Sequence, residues 1–226
     1  MDSSVVITGG TGGLGSAVTQ TLLAAGWRVV VPYNDERELS RVEAHARLEL
    51  IEADLFDPAA ASAVIARAGS GLAALVNLVG GYEAAGRVHE TPIEDFERQF
   101  RLNLRSTYLM CHAALPPMLE AGVGSIVCVS TRAVLRPFAG AAGYISSKAA
   151  VLAFVDALAA EYTVDGIRSN AILPSVIDTP ANRASQPDAD FSRWVEPVEI
   201  ARVIAFLCSE DSAPTSGAHI PVYGRA

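Results

Sequence analysis

Tyr144 and Lys148 lie four residues apart in Gly143-Tyr144-Ile145-Ser146-Ser147-Lys148. On a helix, that spacing puts both side chains on one face, where the ammonium can sit beneath the phenol. A nearby cation favours phenolate and draws a tyrosine pKa, ordinarily about 10, toward neutral pH. The phenol then becomes a usable proton donor or acceptor. Asn103 also stands out, because an amide within the run 100–109 weakens a helix unless it has a partner or a task.

A second chemical signature lies at the start, where Val5-Val6-Ile7-Thr8-Gly9-Gly10-Thr11-Gly12-Gly13-Leu14-Gly15 runs from apolar residues into five glycines within seven positions. Between a strand and a helix, bare backbone permits a tight turn, lets amides approach a pyrophosphate and lets the helix pack close, while the helix N-terminus attracts negative charge. Spacing alone leaves three patterns open: Gly10-Gly12-Gly15, Gly9-Gly12-Gly15 and Gly9-Gly13-Gly15 each fit a known glycine rhythm.

These residues need elements to hold them. Short β-branched runs are expected as strands at 4–8, 28–33, 48–53, 73–79, 125–130, 168–173 and 219–222. Helix-period segments fall between them at 14–25, 36–46, 58–68, 92–120, 144–164 and 197–209. Thr91 before Pro92, with Glu94 and Asp95 following, reads as a capped helix start. Runs apolar on both faces belong to parallel strands covered on both sides. Alternating strand and helix therefore predicts an α/β protein with a doubly wound sheet of about seven parallel strands.

The chain has 226 residues, half of them hydrophobic, and no linker or repeat divides it, so one domain over 1–226 is expected. A net charge of -8 without a basic stripe argues against a nucleic-acid partner. Cys111, Cys128 and Cys208 lack metal or disulfide spacing and read as small buried hydrophobes in a reducing compartment, and the four histidines also lack metal spacing. No metal is expected. With no leader pattern and no apolar run near the ~20 residues that span a bilayer, the expectation is a cytoplasmic protein without a membrane partner.

Taken together, Thr8-Gly9-x-x-x-Gly13-x-Gly15, Asp54-Leu55, Asn77-Leu78-Val79-Gly80, Asn103, Tyr144/Lys148 and Asn170-Ala171-Ile172-Leu173-Pro174 resemble, in order and over almost the whole chain, the motifs of the short-chain dehydrogenases/reductases. The resemblance implies a Rossmann fold and a nicotinamide cofactor. It implies that Gly9, Gly13 and Gly15, with Thr11, Gly12 and Leu14 in the same loop, cradle the dinucleotide. Asp54 and Leu55 would lie along the adenine, and Asn77, Val79 and Gly80 would line the ribose and brace the central strands. Lys148 would also hold the nicotinamide ribose, and Pro174, Ser175, Val176, Ile177 and Thr179 would face the carboxamide end. Tyr144 would be the general acid in carbonyl reduction and the general base in alcohol oxidation, and Asn103 would anchor a water linked to Lys148.

The departures are specific. The family's serine thirteen residues before the tyrosine is Thr131 here, which keeps the hydroxyl; Ser130, one position earlier, is the reserve candidate. Ser175 replaces a usual glycine, and the C-terminal Val222-Tyr223-Gly224-Arg225 lacks the common ending. At the end of the second strand, Tyr33, Asn34 and Asp35 occupy the region that separates NAD from NADP; Asp35 favours NAD, while Arg37 could reach a 2′-phosphate. The balance leans to NAD. Segment 179–196 is a short substrate lid containing Asn182, Arg183, Phe191 and Trp194, and residues 81–83 and 136–138 are expected at the same mouth. Apolar helix faces suit a homodimer or homotetramer, as in the family. The expected function is hydride transfer between nicotinamide and a small-molecule carbonyl or alcohol. The alternative is a catalytically impaired cofactor-binding or scaffold protein on the same fold.

Overall fold

The computed structural model describes residues 3–83 and 86–225. Seven strands, β1 (Ser4–Thr8), β2 (Arg28–Tyr33), β3 (Leu48–Glu52), β4 (Leu72–Asn77), β5 (Gly124–Val129), β6 (Ile167–Pro174) and β7 (His219–Val222), form one parallel sheet in the order β3-β2-β1-β4-β5-β6-β7. The side-chain period of two explains the continuous apolar runs. Val6, Val30, Leu75, Ile126 and Leu173 point to one face, while Val5, Ile7, Val29, Val31, Val76, Val127 and Ile172 point to the other, and both faces are buried.

Among the described residues, five of the seven α-helices cover the two faces. α1 (Gly15–Ala24) and α7 (Pro197–Cys208) close one side through Val18, Leu22, Ile200, Ile204 and Leu207. On the other side, α2 (Pro58–Ala68), α4 (Ser106–Ala121) and α5 (Ala142–Tyr162) bury Val64, Met110, Met118, Val151 and Val155. α3 (Ile93–Phe100) leads into α4 through a π-helical turn at Arg101–Arg105, and α6 (Pro180–Ser185) is a short helix after β6. Asp57 accepts from the Ala59 amide at 3.0 Å with Pro58 at the first helical position, so α2 starts where its sequence says it should.

Three expectations need correction. Segment 36–46 does not form a full helix: only a 3-10 turn at Glu36–Arg41 forms, and it buries no residue, so it lacks the apolar stripe that would hold a helix against the sheet. Thr91 does not cap α3. Its hydroxyl donates to the Gly86 and Arg87 carbonyls at 3.0 Å, and Pro92 occupies the cap position instead. Finally, Ala142–Asp165 is long and apolar enough to cross a membrane by length and composition, with a mean hydropathy of 1.3 over its best window. That composition serves the core, because Val151, Leu152, Val155 and Leu158 are buried against the sheet.

Candidate active site

Strand order reverses between β1 and β4, so the loops leaving their carboxyl ends diverge and open a crevice. The glycine loop forms one wall. Gly9 has φ +66°, the left-handed region that glycine tolerates, and a Cβ on Gly15 would fall 1.9 Å from the Gly9 oxygen. A Cβ on Gly10 would meet the Val31 side chain at 2.8 Å, and one on Gly13 would meet the Thr179 methyl at 3.0 Å. Gly9, Gly10 and Gly15 are thus required for α1 to pack, whereas Gly12 and Gly13 keep backbone bare at the crevice. α1 starts with no side-chain cap and no acidic residue in its first turn, leaving its positive end available to an anion. This bare cradle and uncapped helix fit a dinucleotide pyrophosphate. The Thr8 hydroxyl ties the two walls together by accepting from the Leu78 and Val79 amides at 3.1 and 3.3 Å.

The other wall carries the proton chemistry. Tyr144 and Lys148 occupy the first two turns of α5, where the helix crosses the ends of β4 and β5. Burial raises the Tyr144 phenol above its ordinary pKa, and a hydrogen bond with the Thr131 side chain opposes that shift. The depression expected from Lys148 is not found, because the ammonium donates to the Val129 carbonyl at 3.0 Å instead. Burial brings the Lys148 pKa down to about 8, opposed by the nearby Cys128 sulfur. Gly80 is wedged here: a Cβ on it would come 2.7 Å from Asn103 Oδ1 and 2.8 Å from Lys148 Nζ.

Asn103 is fully buried in the π-helical turn. Its Oδ1 accepts from the Gly81 amide at 2.9 Å, and its Nδ2 donates to the Gly81 carbonyl at 3.1 Å and to Ser147 Oγ at 3.1 Å. Ser147 in turn donates to the Tyr144 carbonyl at 2.8 Å. The wide turn is supported by Ser106 and Thr107, whose hydroxyls donate to the Leu102 and Asn103 carbonyls at 3.3 Å. Ser147 escaped the sequence reading although it lies between Tyr144 and Lys148. So did Gln99, whose Oε1 accepts from Asn103 at 3.4 Å and whose position one helical turn before Asn103 was the available signal.

Other expected site residues are distributed more widely. Thr131 reaches the phenol, but the Ser130 hydroxyl donates to the Lys148 main-chain carbonyl at 2.9 Å and so supports the helix rather than facing the crevice. The Leu55 side chain is buried in the core beside Ala61 and Val64, so only its backbone faces outward, while Asp54 stays exposed and accepts from the Phe56 amide at 2.9 Å. The Asn77 side chain is buried between β5 and α4, with Nδ2 3.4 Å from Cys111 Sγ and 3.7 Å from Cys128 Sγ, where it braces the central strands. Val79 approaches Gly9, and Leu14 packs against the α1 side of the core.

Pro174 ends β6, and the Ser175 hydroxyl donates to the Tyr223 carbonyl at 2.8 Å, fastening the C-terminal segment. Val176 and Ile177 pair with Val195: the Val176 carbonyl accepts from the Val195 amide at 3.0 Å. Thr179 caps α6 by accepting from the Asn182 amide at 3.2 Å. At the far end of the crevice, Tyr33 and Asn34 follow β2. Asp35 pairs with Arg37 at 2.8 Å, and Glu38 accepts from Thr11 of the glycine loop at 2.7 Å while pairing with Arg41 at 2.8 Å. Glu38 was not foreseen, because the expected helix would have carried it elsewhere. Arg183 is bound by both oxygens of Asp178, which removes it as a ready anion ligand. Among the described residues, no group of His, Cys, Asp or Glu could hold a metal.

Comparisons with known proteins agree with this arrangement. Residues 9–224 match the family described as "Enoyl-(Acyl carrier protein) reductase". A curated relative, 2-(R)-hydroxypropyl-CoM dehydrogenase of Xanthobacter autotrophicus, is 33% identical, over 99% of this chain and 98% of its own. The solved structure "ElxO with NADP Bound" superposes with a TM-score of 0.91 at 25% identity, covering 99% of this chain and 98% of that one. An oxidoreductase of the short chain dehydrogenase/reductase family from Burkholderia thailandensis gives 0.89 at 27% identity, with 99% and 92% covered. The chain belongs to the short-chain dehydrogenase/reductase family, oxidoreductases that work with a nicotinamide cofactor on a small-molecule alcohol or carbonyl.

Proposed function

We propose that the protein reduces a ketone or aldehyde, or oxidises the corresponding alcohol, with Tyr144 moving the proton. The observation that carries this reading is the half-buried Tyr144 phenol, whose burial-raised pKa the Thr131 side chain opposes, with Lys148 on the next turn of α5 and Tyr144 edge-on to Tyr82. The glycine loop and residues 174–179 would hold a nicotinamide cofactor, which would supply or accept the hydride when bound. Burial keeps the phenol protonated, the state needed to donate to a forming alkoxide. The Thr131 hydroxyl adds a donor toward the same oxygen, and a protonated Lys148 stabilises phenolate after transfer. Asn103 and Ser147 position these groups by fixing the start of α5. The Thr131 contact also favours catalysis over the scaffold alternative, since the departure from serine keeps a hydroxyl on the phenol.

NAD is the favoured cofactor. Near the end of β2, Asp35 and Glu38 supply two carboxylates, and the neighbouring cations Arg37 and Arg41 are each paired with one of them. A ribose 2′-hydroxyl can donate to a carboxylate, whereas a 2′-phosphate is repelled. Fluorescence titration is expected to give a lower Kd for NADH than for NADPH; equal or reversed affinities defeat the NAD assignment. Tyr144→Phe is expected to lower kcat by about 10²- to 10⁴-fold with little change in the cofactor Kd. Retained turnover in that variant would show that another group moves the proton.

A further inference from the structure

Tyr82 is held on both sides in sequence. Before it, Gly81 is gripped through its amide and carbonyl by Asn103, at 2.9 and 3.1 Å. After it, the Glu83 carboxylate takes two hydrogen bonds from Arg98, at 2.9 and 2.8 Å, and Arg98 is itself fixed by Asp95 at 2.7 Å. Arg98 and Asn103 belong to the continuous α3 and π-helical segment, so one helix clamps the loop at two points. The Tyr82 ring stands edge-on to Tyr144 at 5.1 Å and 73°, and to Phe138 at 6.0 Å and 65°.

Yet Tyr82 and Phe138 remain 51% and 50% exposed. A half-open Tyr82 ring held beside the proton-transfer group, with the half-open Phe138 ring edge-on to it, offers a binding surface that loses little freedom when a ligand arrives. Three cations are engaged elsewhere, Arg98 as described, Arg183 with Asp178 and 4.7 Å over the Phe191 ring, and Arg132 5.0 Å over the Tyr223 ring, whereas Arg136, two residues before Phe138, is exposed. The surface next to Tyr144 is thus made of ring faces and edges, which favour an uncharged apolar group there.

We propose that Tyr82 and Phe138 form an aromatic wall that selects substrates carrying a neutral aromatic ring next to the reacting carbonyl or carbinol carbon. This rests on Tyr144 being the proton-transfer residue, because the wall is defined by its contact with that ring. Offset or edge-to-face ring pairs add stabilisation beyond their buried area, so ring shape should count, not apolarity alone.

The test uses two ketones of equal carbon number, acetophenone and 2-octanone, titrated against the full chain carrying Tyr144→Phe with reduced cofactor present. That variant keeps the ring and cannot turn over through the phenol. Acetophenone is expected to bind about ten-fold more tightly, as two ring contacts imply. Tyr82→Ala or Phe138→Ala on this background should bring the ratio to about two or less, whereas Tyr82→Phe should preserve it and guard against a mere folding defect. Equal affinities, or a ratio unmoved by both alanine changes, overturn the wall. Turnover retained by Tyr144→Phe alone would defeat the proton-transfer reading instead, so the two failures are distinguishable.

Discussion

Lys148 bears a stability cost for the sake of its site. Its pKa falls from 10.5 to about 8 because burial disfavours the ammonium. Between those values the unfolded chain binds more protons than the folded one, so wild-type stability should rise with pH across that window; below pH 8 both states are protonated and the full penalty remains. Lys148→Met is therefore expected to stabilise the protein at pH 7 by about 2 kcal/mol, less than the whole shift because the Val129 carbonyl loses its donor. The advantage should shrink above pH 8, and activity should be lost. Urea unfolding at pH 7 and 9.5 checks the sign. At this scale, the sequence revealed Tyr144 and Lys148 because an i, i+4 spacing states a shared helix face. It could not reveal that Leu55 and Asn77 turn inward, because near a strand end the facing of a side chain depends on register and on which helix lies opposite.

The join between α3 and α4 shows what periodicity conceals. The sequence reads as one helix from 92 to 120, and the chain is indeed helical almost throughout, but the turn at Arg101–Arg105 is wider and accommodates an additional residue. That turn brings Asn103 to Gly81 and Ser147. Deleting Leu104 is expected to restore α-helical geometry with α3 and α4 keeping their relative orientation, while the residue just before the deletion, Asn103, loses the wide-turn position from which it reaches Gly81 and Ser147. Helix content by circular dichroism should persist, with kcat/KM reduced at least about 100-fold, the scale lost when positioning fails; near-normal kcat/KM would mean the wide turn is dispensable. The central strands β1, β2, β4, β5 and β6 were legible because their apolar runs are buried on both faces. The β2 to β3 crossover was not, since 36–46 holds enough helix formers to suggest a helix but too little apolar surface to secure one. Glu38 consequently folds back to Thr11, a contact no pattern announced.

Across the whole molecule, the reversal of strand order sets the crevice, and the two covered faces leave the strand ends to carry function. Lys148 is the only lysine among 17 basic residues; the other 16 are arginines, which stay charged far above pH 8. Cys208 is pushed up to about 12 by burial, and Cys111 is pushed well above its ordinary value by its hydrogen bond with Cys128 and by burial. A protein labelled with ¹⁵N-lysine should thus give a single side-chain amine signal, and its titration midpoint is expected near 8. Carbonyl reduction should decline as pH rises through the same midpoint; a midpoint near 10.5 would mean the ammonium is solvated. The buried cation that weakens the fold thereby becomes an internal spectroscopic reporter, able to register cofactor arrival at one atom without any engineered label.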